Sequence, residues 1–155
     1  MPLHIGIDPG IGGAIAWIEP DGRLQIHDMP VMGERATINA VALVELLELL
    51  ARGMNWRPVH ALLEHAQAMP GQGVSSTFAY GRGFGTIEGV LYALGMPHTL
   101  VRPAVWKRRA GVSSDKRATI ARAIQVCPAA APYLRRAKDH GRAEALLISI
   151  YGQTA

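Results

Sequence analysis

The chain has 155 residues, 49% of them hydrophobic and 18% charged, with a formal net charge of +4. This length and composition exclude a largely disordered polypeptide and fit one domain, residues 1 to 155, with a core of its own. A lone cysteine, Cys127, excludes an internal disulfide and a cysteine-ligated zinc site, and no apolar run reaches the roughly 20 residues of a membrane helix, so a cytoplasmic protein with no membrane partner is expected.

The first predicted element is a strand over 3–8, an apolar run that ends in Asp8 and is followed at once by Pro9, Gly10, Gly12 and Gly13, a close backbone turn. Strands over 14–18 and 23–29 follow, joined by connections short enough for antiparallel hairpins. From Thr37 to Arg52, Leu43, Leu46, Leu47 and Leu50 recur at i, i+3, i+4 and i+7, which predicts an amphipathic helix with Thr37 as N-cap and Gly53 just past its end. A second short apolar run, 59–64, also ends in an acid, Glu64. After a loop over 66–73 come a helix over 75–94, a strand over 98–102, helices over 104–110 and 114–127, a loop holding Pro128 and Pro132, and a closing helix over 139–151. Trp17 and Trp56 read as packing residues.

Hairpins followed by helical crossovers make an α/β protein, a mixed five-stranded sheet with helices on both faces. A right-handed crossover sets the strand of Glu64 parallel to that of Asp8, so both acids emerge at carboxyl ends of strands. Two carboxylates that close raise one another's pKa unless a cation lies between them. Mg²⁺ suits these donors, because it favours carboxylate oxygens and retained water and leaves room for a substrate phosphate, and Mn²⁺ is expected to substitute. The pattern points to phosphodiester chemistry, in which two ions roughly 3.5 to 4 Å apart hold the attacking water and the leaving oxygen, with Asp8 bridging them. Further ligands are expected from "KDHGRAEALLIS", whose first turns carry Lys138, Asp139, His140, Arg142 and Glu144 before an apolar stripe.

Charge is unevenly spread. Residues 1–77 hold four basic and eight acidic groups, whereas residues 78–155 hold twelve basic and four acidic. Arg82, Arg102, Lys107, Arg108, Arg109, Lys116 and Arg117 therefore form a candidate phosphate-binding face, since release of condensed counterions drives nucleic-acid binding. The loop after Glu64 brings Met69, Phe78 and Tyr80 near the acids, where they would wedge or stack against unpaired bases or, for Phe78 and Tyr80, pack in a helix core.

Four segments in order, "IGIDPGIGGAIAWI", "LLEHAQAMPGQGVSSTFAYGRGFGTIEGVL", "RPAVWKRRAGVSSDKRATI" and "DHGRAEALLIS", resemble the RuvC family of Holliday junction resolvases over nearly the whole chain. The resemblance implies an RNase H-like fold, a homodimer of bacterial or phage origin, and Mg²⁺-dependent paired nicking of four-way DNA junctions with no small-molecule cofactor. It makes Asp8, Glu64 and Glu144 the first, second and last catalytic acids. Lys107 resembles a lysine near the scissile phosphate, and Lys116 a second. The pattern departs at Gly141, where many relatives carry an acid or histidine. Asp139 is the expected replacement ligand, with His140 as general base, proton shuttle or alternate ligand, and an N-capping Asp139 is the competing reading.

Gly81, Gly85 and Gly89 interrupt the middle helix, each at a cost of roughly 0.8 to 1 kcal/mol relative to alanine. Their common stripe would admit close approach of the sheet or of a symmetry-related helix. Two other classes compete with the nuclease reading. The opening segment also resembles the first phosphate loop of sugar kinases and actin-like ATPases, which need a second domain that this length does not accommodate. A non-cleaving, junction-binding architectural protein would gain nothing from clustered acids.

Overall fold

Residues 1–55 and 58–155 are described by the computed structural model. Three strands come first, β1 (Leu3–Asp8), β2 (Ala14–Ile18) and β3 (Leu24–Asp28), then a short ribbon of β4 (Val31–Met32) and β5 (Thr37–Ile38). Helix α1 (Ala40–Gly53), β6 (Val59–Glu64), α2 (Val74–Ala93), β7 (His98–Val101), α3 (Pro103–Ala110), α4 (Lys116–Val126) and α5 (His140–Thr154) complete the order, with 3-10 turns at Pro128–Tyr133 and Ala137–Asp139.

Alternation along the strands sorts their side chains onto two faces. Ile5, Ile7, Ile15, Trp17, Ala61 and Leu63 face the leucines of α1 and Ile87 and Leu91 of α2. The opposite face sets Ala14, Ala16, Leu62 and Val101 against Trp106, Ala123 and the apolar body of α5. Both faces are covered, so the strands read as nearly continuous apolar runs. The strand order is β3-β2-β1-β6-β7, with β1–β2 and β2–β3 antiparallel and β1–β6 and β6–β7 parallel. Ile7 pairs with Leu63, so Asp8 and Glu64 end neighbouring parallel strands as the crossover argument requires.

Helix α5 lies against β1 at very close range because both surfaces are stripped of side chains there. A Cβ at Gly6 would overlap the Ala145 carbonyl and the Ser149 amide, and one at Gly152 would overlap Leu62. Buried Ser149 secures the contact by donating its hydroxyl to the His4 carbonyl at 2.9 Å. This seam carries α5, and Glu144 with it, onto the strand that bears Asp8.

Several expectations shift at the ends of elements. Thr37 lies in β5 instead of capping α1; the cap is Asn39, whose Oδ1 accepts from the Ala42 amide at 3.1 Å. Asparagine outranks threonine as an N-cap, and the ribbon of β4 and β5 is too short for any periodic signal. The expected loop around Pro128 and Pro132 winds into a 3-10 turn, and α5 runs on to Thr154. Trp17 is buried and stacks on His27, while Trp56 lies outside the described residues.

Candidate metal centre

Asp8 leaves the end of β1, Glu64 the end of β6, and Glu144 the second turn of α5, and one carboxylate oxygen from each lies within 4.8 Å of the others. Three distant stretches of chain thus supply one oxygen cage. The turn after β1 is held by the Gly13 amide donating to the Gly10 carbonyl at 2.9 Å. A Cβ at Gly13 would strike the Asp8 carbonyl, so only glycine lets the chain double back this tightly beside the acid.

The electrostatics of the triad would be relieved by a cation. Burial, then the charges of Glu144 and Glu64, push the Asp8 carboxyl up to about 8, against an opposing backbone hydrogen bond from Gly10 and the charge of Lys107. Burial and Glu144 likewise raise Glu64, while a hydrogen bond from Trp106 and the charge of Lys107 lower it. Lys107 places its ammonium 3.2 Å from Glu144 Oε1, a positive group standing where oxygens converge. An all-carboxylate donor set with an ammonium already drawn to it fits a hard divalent cation such as Mg²⁺ or Mn²⁺. Tyr80 of α2 also senses the acids: burial first, then Glu64, Asp8 and Glu144, raise its phenol above the usual tyrosine range.

Asp139 does not join the triad, and neither does His140, among the described residues. The separation of Asp139 from the triad has a local cause. Arg136 binds both oxygens of Asp139 through its guanidinium and donates its backbone N–H to Oδ2 at 2.9 Å, and Arg142 lies 3.8 Å from Oδ1. These arginines, three residues to either side, hold the carboxyl below its usual range, chiefly through the Arg136 side chain. The competing N-cap reading fails as well, because the Asp139 side chain makes no capping bond to α5. Arg142 is itself tied to Asp28 on β3 at 2.7 and 2.8 Å, so this network pins the start of α5 to the sheet. His140 sits at that start with Nδ1 3.4 Å from the Ala137 carbonyl. At Gly141 a Cβ would overlap the Gly12 carbonyl and press on Asp8 Oδ2. The position at which the sequence resemblance expects a ligand is therefore closed to any side chain by the glycine turn.

No family model and no curated protein matches the sequence. Solved structures do match in three dimensions. The chain superposes on T. thermophilus RuvC in complex with Holliday junction substrate with a TM-score of 0.58 at 14% identity, covering 100% of this chain and 97% of that one. This is the RuvC fold. A second Thermus thermophilus RuvC structure gives 0.55 at 16% identity, covering 98% and 96% of the two chains. The yeast mitochondrial Holliday junction resolvase Ydc2 gives 0.51 at 14%, covering 94% and 75%. The expected RNase H-like, five-stranded mixed sheet is the architecture observed.

On this RuvC fold the basic residues singled out in the sequence divide by position. Lys107 alone reaches the acids. Arg82 is exposed on α2, Arg102 at the start of α3, Arg108 and Arg109 on α3, and Lys116 and Arg117 at the start of α4. Arg109 also donates to the Thr154 carbonyl, tying α3 to the end of α5. Phe78 is 73% exposed and Met69 64%, so neither packs in a helix core. A cavity of about 460 Å³, lined by Met32, Ile38, Phe78, Tyr80 and Arg82 among others, opens between the β4–β5 ribbon and α2. Cβ atoms at Gly81, Gly85 and Gly89 would meet nothing within 4 Å among the described residues, so the sheet is not the partner of this stripe. Two contacts escaped the sequence reading altogether, the indole of Trp106 on Glu64 and the clasp of Arg136 on Asp139.

Proposed function

We propose that residues 1–155 form one nuclease domain that resolves four-way DNA junctions by paired, Mg²⁺-dependent phosphodiester hydrolysis. The convergence of Asp8, Glu64 and Glu144 is the observation that carries this reading. Support also comes from the resemblance of the whole fold to RuvC, one structure of which holds a Holliday junction substrate.

Asp8, Glu64 and Glu144 would hold the metal. When bound, Mg²⁺ supplies Lewis-acid activation of water and neutralises charge on the phosphate. The rest falls to the chain. Lys107 shifts its ammonium from Glu144 toward the scissile phosphate, where it stabilises the negative charge that develops there. Exposed Arg82, Arg102, Arg108, Lys116 and Arg117 bind the backbone of branched DNA without reading its sequence. Met69, exposed in the loop after Glu64, offers apolar surface to bases unpaired at the crossover.

Paired nicking needs two centres related by a two-fold axis, hence a homodimer. The exposed face of α2 suits an antiparallel pairing with its own copy centred on Gly85: Phe78 then meets the partner helix at the level of Tyr92, and Gly81 at the level of Gly89. Tyr92 is 68% exposed, so both ends of the stripe carry uncovered aromatic surface.

The decisive experiment incubates the protein with a synthetic four-way junction and a matched linear duplex, with Mg²⁺ or with EDTA, and maps the nicks. Symmetric nicks on the junction alone, lost in EDTA, are the expected result. Tight junction binding with no nicks in Mg²⁺ would replace the nuclease reading with the architectural one.

A further inference from the structure

Helix α3 meets the acid triad with two consecutive residues. Lys107 contacts Glu144, and Trp106 contacts Glu64, its indole Nε1–H donating to Oε2 at 2.7 Å with both groups buried. This is short for an N–H donor, as expected when the acceptor is ionised. Trp106 has no exposed surface and is wedged in the apolar cluster between α3, α4, α5 and the sheet, so it cannot swing aside without opening that core. An indole N–H is a donor only and must stay paired when buried. If Glu64 turned away, the Trp106 N–H would be left unsatisfied inside the protein, so each group restrains the other.

Packing alone does not require this arrangement. Any ring of similar size fills the space between the helices, but only a donor fixes the rotation of the carboxylate. We propose that Trp106 is a positioning residue, its indole N–H holding Oε2 of Glu64 so that this carboxylate keeps the orientation in which it converges with Asp8 and Glu144, the residues that would hold the cation. The inference rests on the metal-dependent reading above and extends it to a residue that touches neither metal nor DNA. It also gives α3 a double task, since the residue that orders Glu64 is followed at once by the ammonium that neutralises Glu144. Partners of metal-ligating groups typically change affinity by about 10- to 100-fold when removed.

The test uses DNA-free protein and Mn²⁺, with free ion counted by electron paramagnetic resonance. Trp106→Phe keeps an aromatic ring, smaller than the indole, and deletes the donor; it should weaken Mn²⁺ binding by about 10- to 100-fold while remaining folded by circular dichroism. A purely space-filling role would lower the melting temperature and leave Mn²⁺ affinity within about twofold of wild type, which overturns the proposal. A second measurement needs no variant. In ¹⁵N-labelled wild-type protein the Trp106 indole N–H should be slow to exchange with solvent both before and after saturation with Mg²⁺; rapid exchange in either state overturns the proposal. Wild-type protein that binds no Mn²⁺ would overturn the metal-dependent reading and this inference together, whereas normal wild-type binding with an unaffected variant would overturn the role of Trp106 alone.

Discussion

Each of the three carboxylates meets a different environment, and each environment sets a separate expectation. Asp8 is the most crowded by like charge, so Asp8→Asn should reduce nicking below detection while junction binding, read by gel shift, stays equal or tightens as a negative group is lost from the DNA-facing surface. Asp139 belongs to a structural network instead. Asp139→Asn loses the ion pair with Arg136 but keeps one acceptor oxygen, so it should cost about 1 to 3 kcal/mol in urea denaturation and leave Mn²⁺ affinity unchanged. Loss of metal binding in that variant would restore it as a ligand. Asp8 and Glu64 were legible in the sequence because each closes an apolar run, a pattern that survives folding unchanged. Asp139 suggested a ligand by its chemistry and not by its helical spacing from Glu144, whereas the hold of Arg136 and Arg142, three residues to either side, on its oxygens carries no signal in the sequence. The contact of Trp106 with Glu64 spans 42 residues and exists only once α3 has docked, so no local pattern announces it.

Among the elements, α2 has the least intramolecular explanation. Three of its four glycines, Gly81, Gly85 and Gly89 at i, i+4 and i+8, weaken the helix, yet open space lies over all three among the described residues. Gly85→Leu should therefore leave the circular dichroism spectrum intact and favour the helix by roughly 0.8 kcal/mol. On the proposed pairing of α2 with its own copy, the same change should drive the protein to monomer in analytical ultracentrifugation and turn paired nicks into single ones. An unaltered dimer would remove α2 from the interface. The long elements were readable from their periods, because the leucines of α1 and the acid-ended strands repeat over whole turns or pleats. The β4–β5 ribbon, two residues a strand, was not, since its pairing depends on the α2 residues it packs beside more than on its own composition.

At the scale of the molecule, the buried acids make stability depend on pH in an unusual direction. The Asp8 carboxyl lies near 8 in the folded, metal-free protein and in the ordinary carboxylate range, about 3.9, when unfolded. Between those values the folded state binds more protons than the unfolded one, so stability falls as pH rises from about 4 toward 8. Glu64, also raised, acts in the same sense. Asp28 and Asp139, held low by Arg142 and Arg136, act oppositely, contributing stability that is lost only below the ordinary carboxylate range. Burial lowers His4 and His27, which act in the opposite sense up to the ordinary histidine range, so the acids show alone only above it. Calorimetry without metal should thus find a lower melting temperature at pH 8 than at pH 7, with Mg²⁺ raising it more at pH 8. A flat or rising profile over that interval would mean that the acids do not crowd one another as described.

The triad draws on both the first strand and the last helix. Synthesis runs from one to the other, so Asp8 and Glu64 leave the ribosome well before Glu144 does. Until His140–Thr154 settles into the glycine seam along β1, the oxygen cage lacks its third carboxylate and the sheet face lined by Ala14, Ala16 and Leu62 stays bare, so assembling the centre and closing this half of the core are one and the same event.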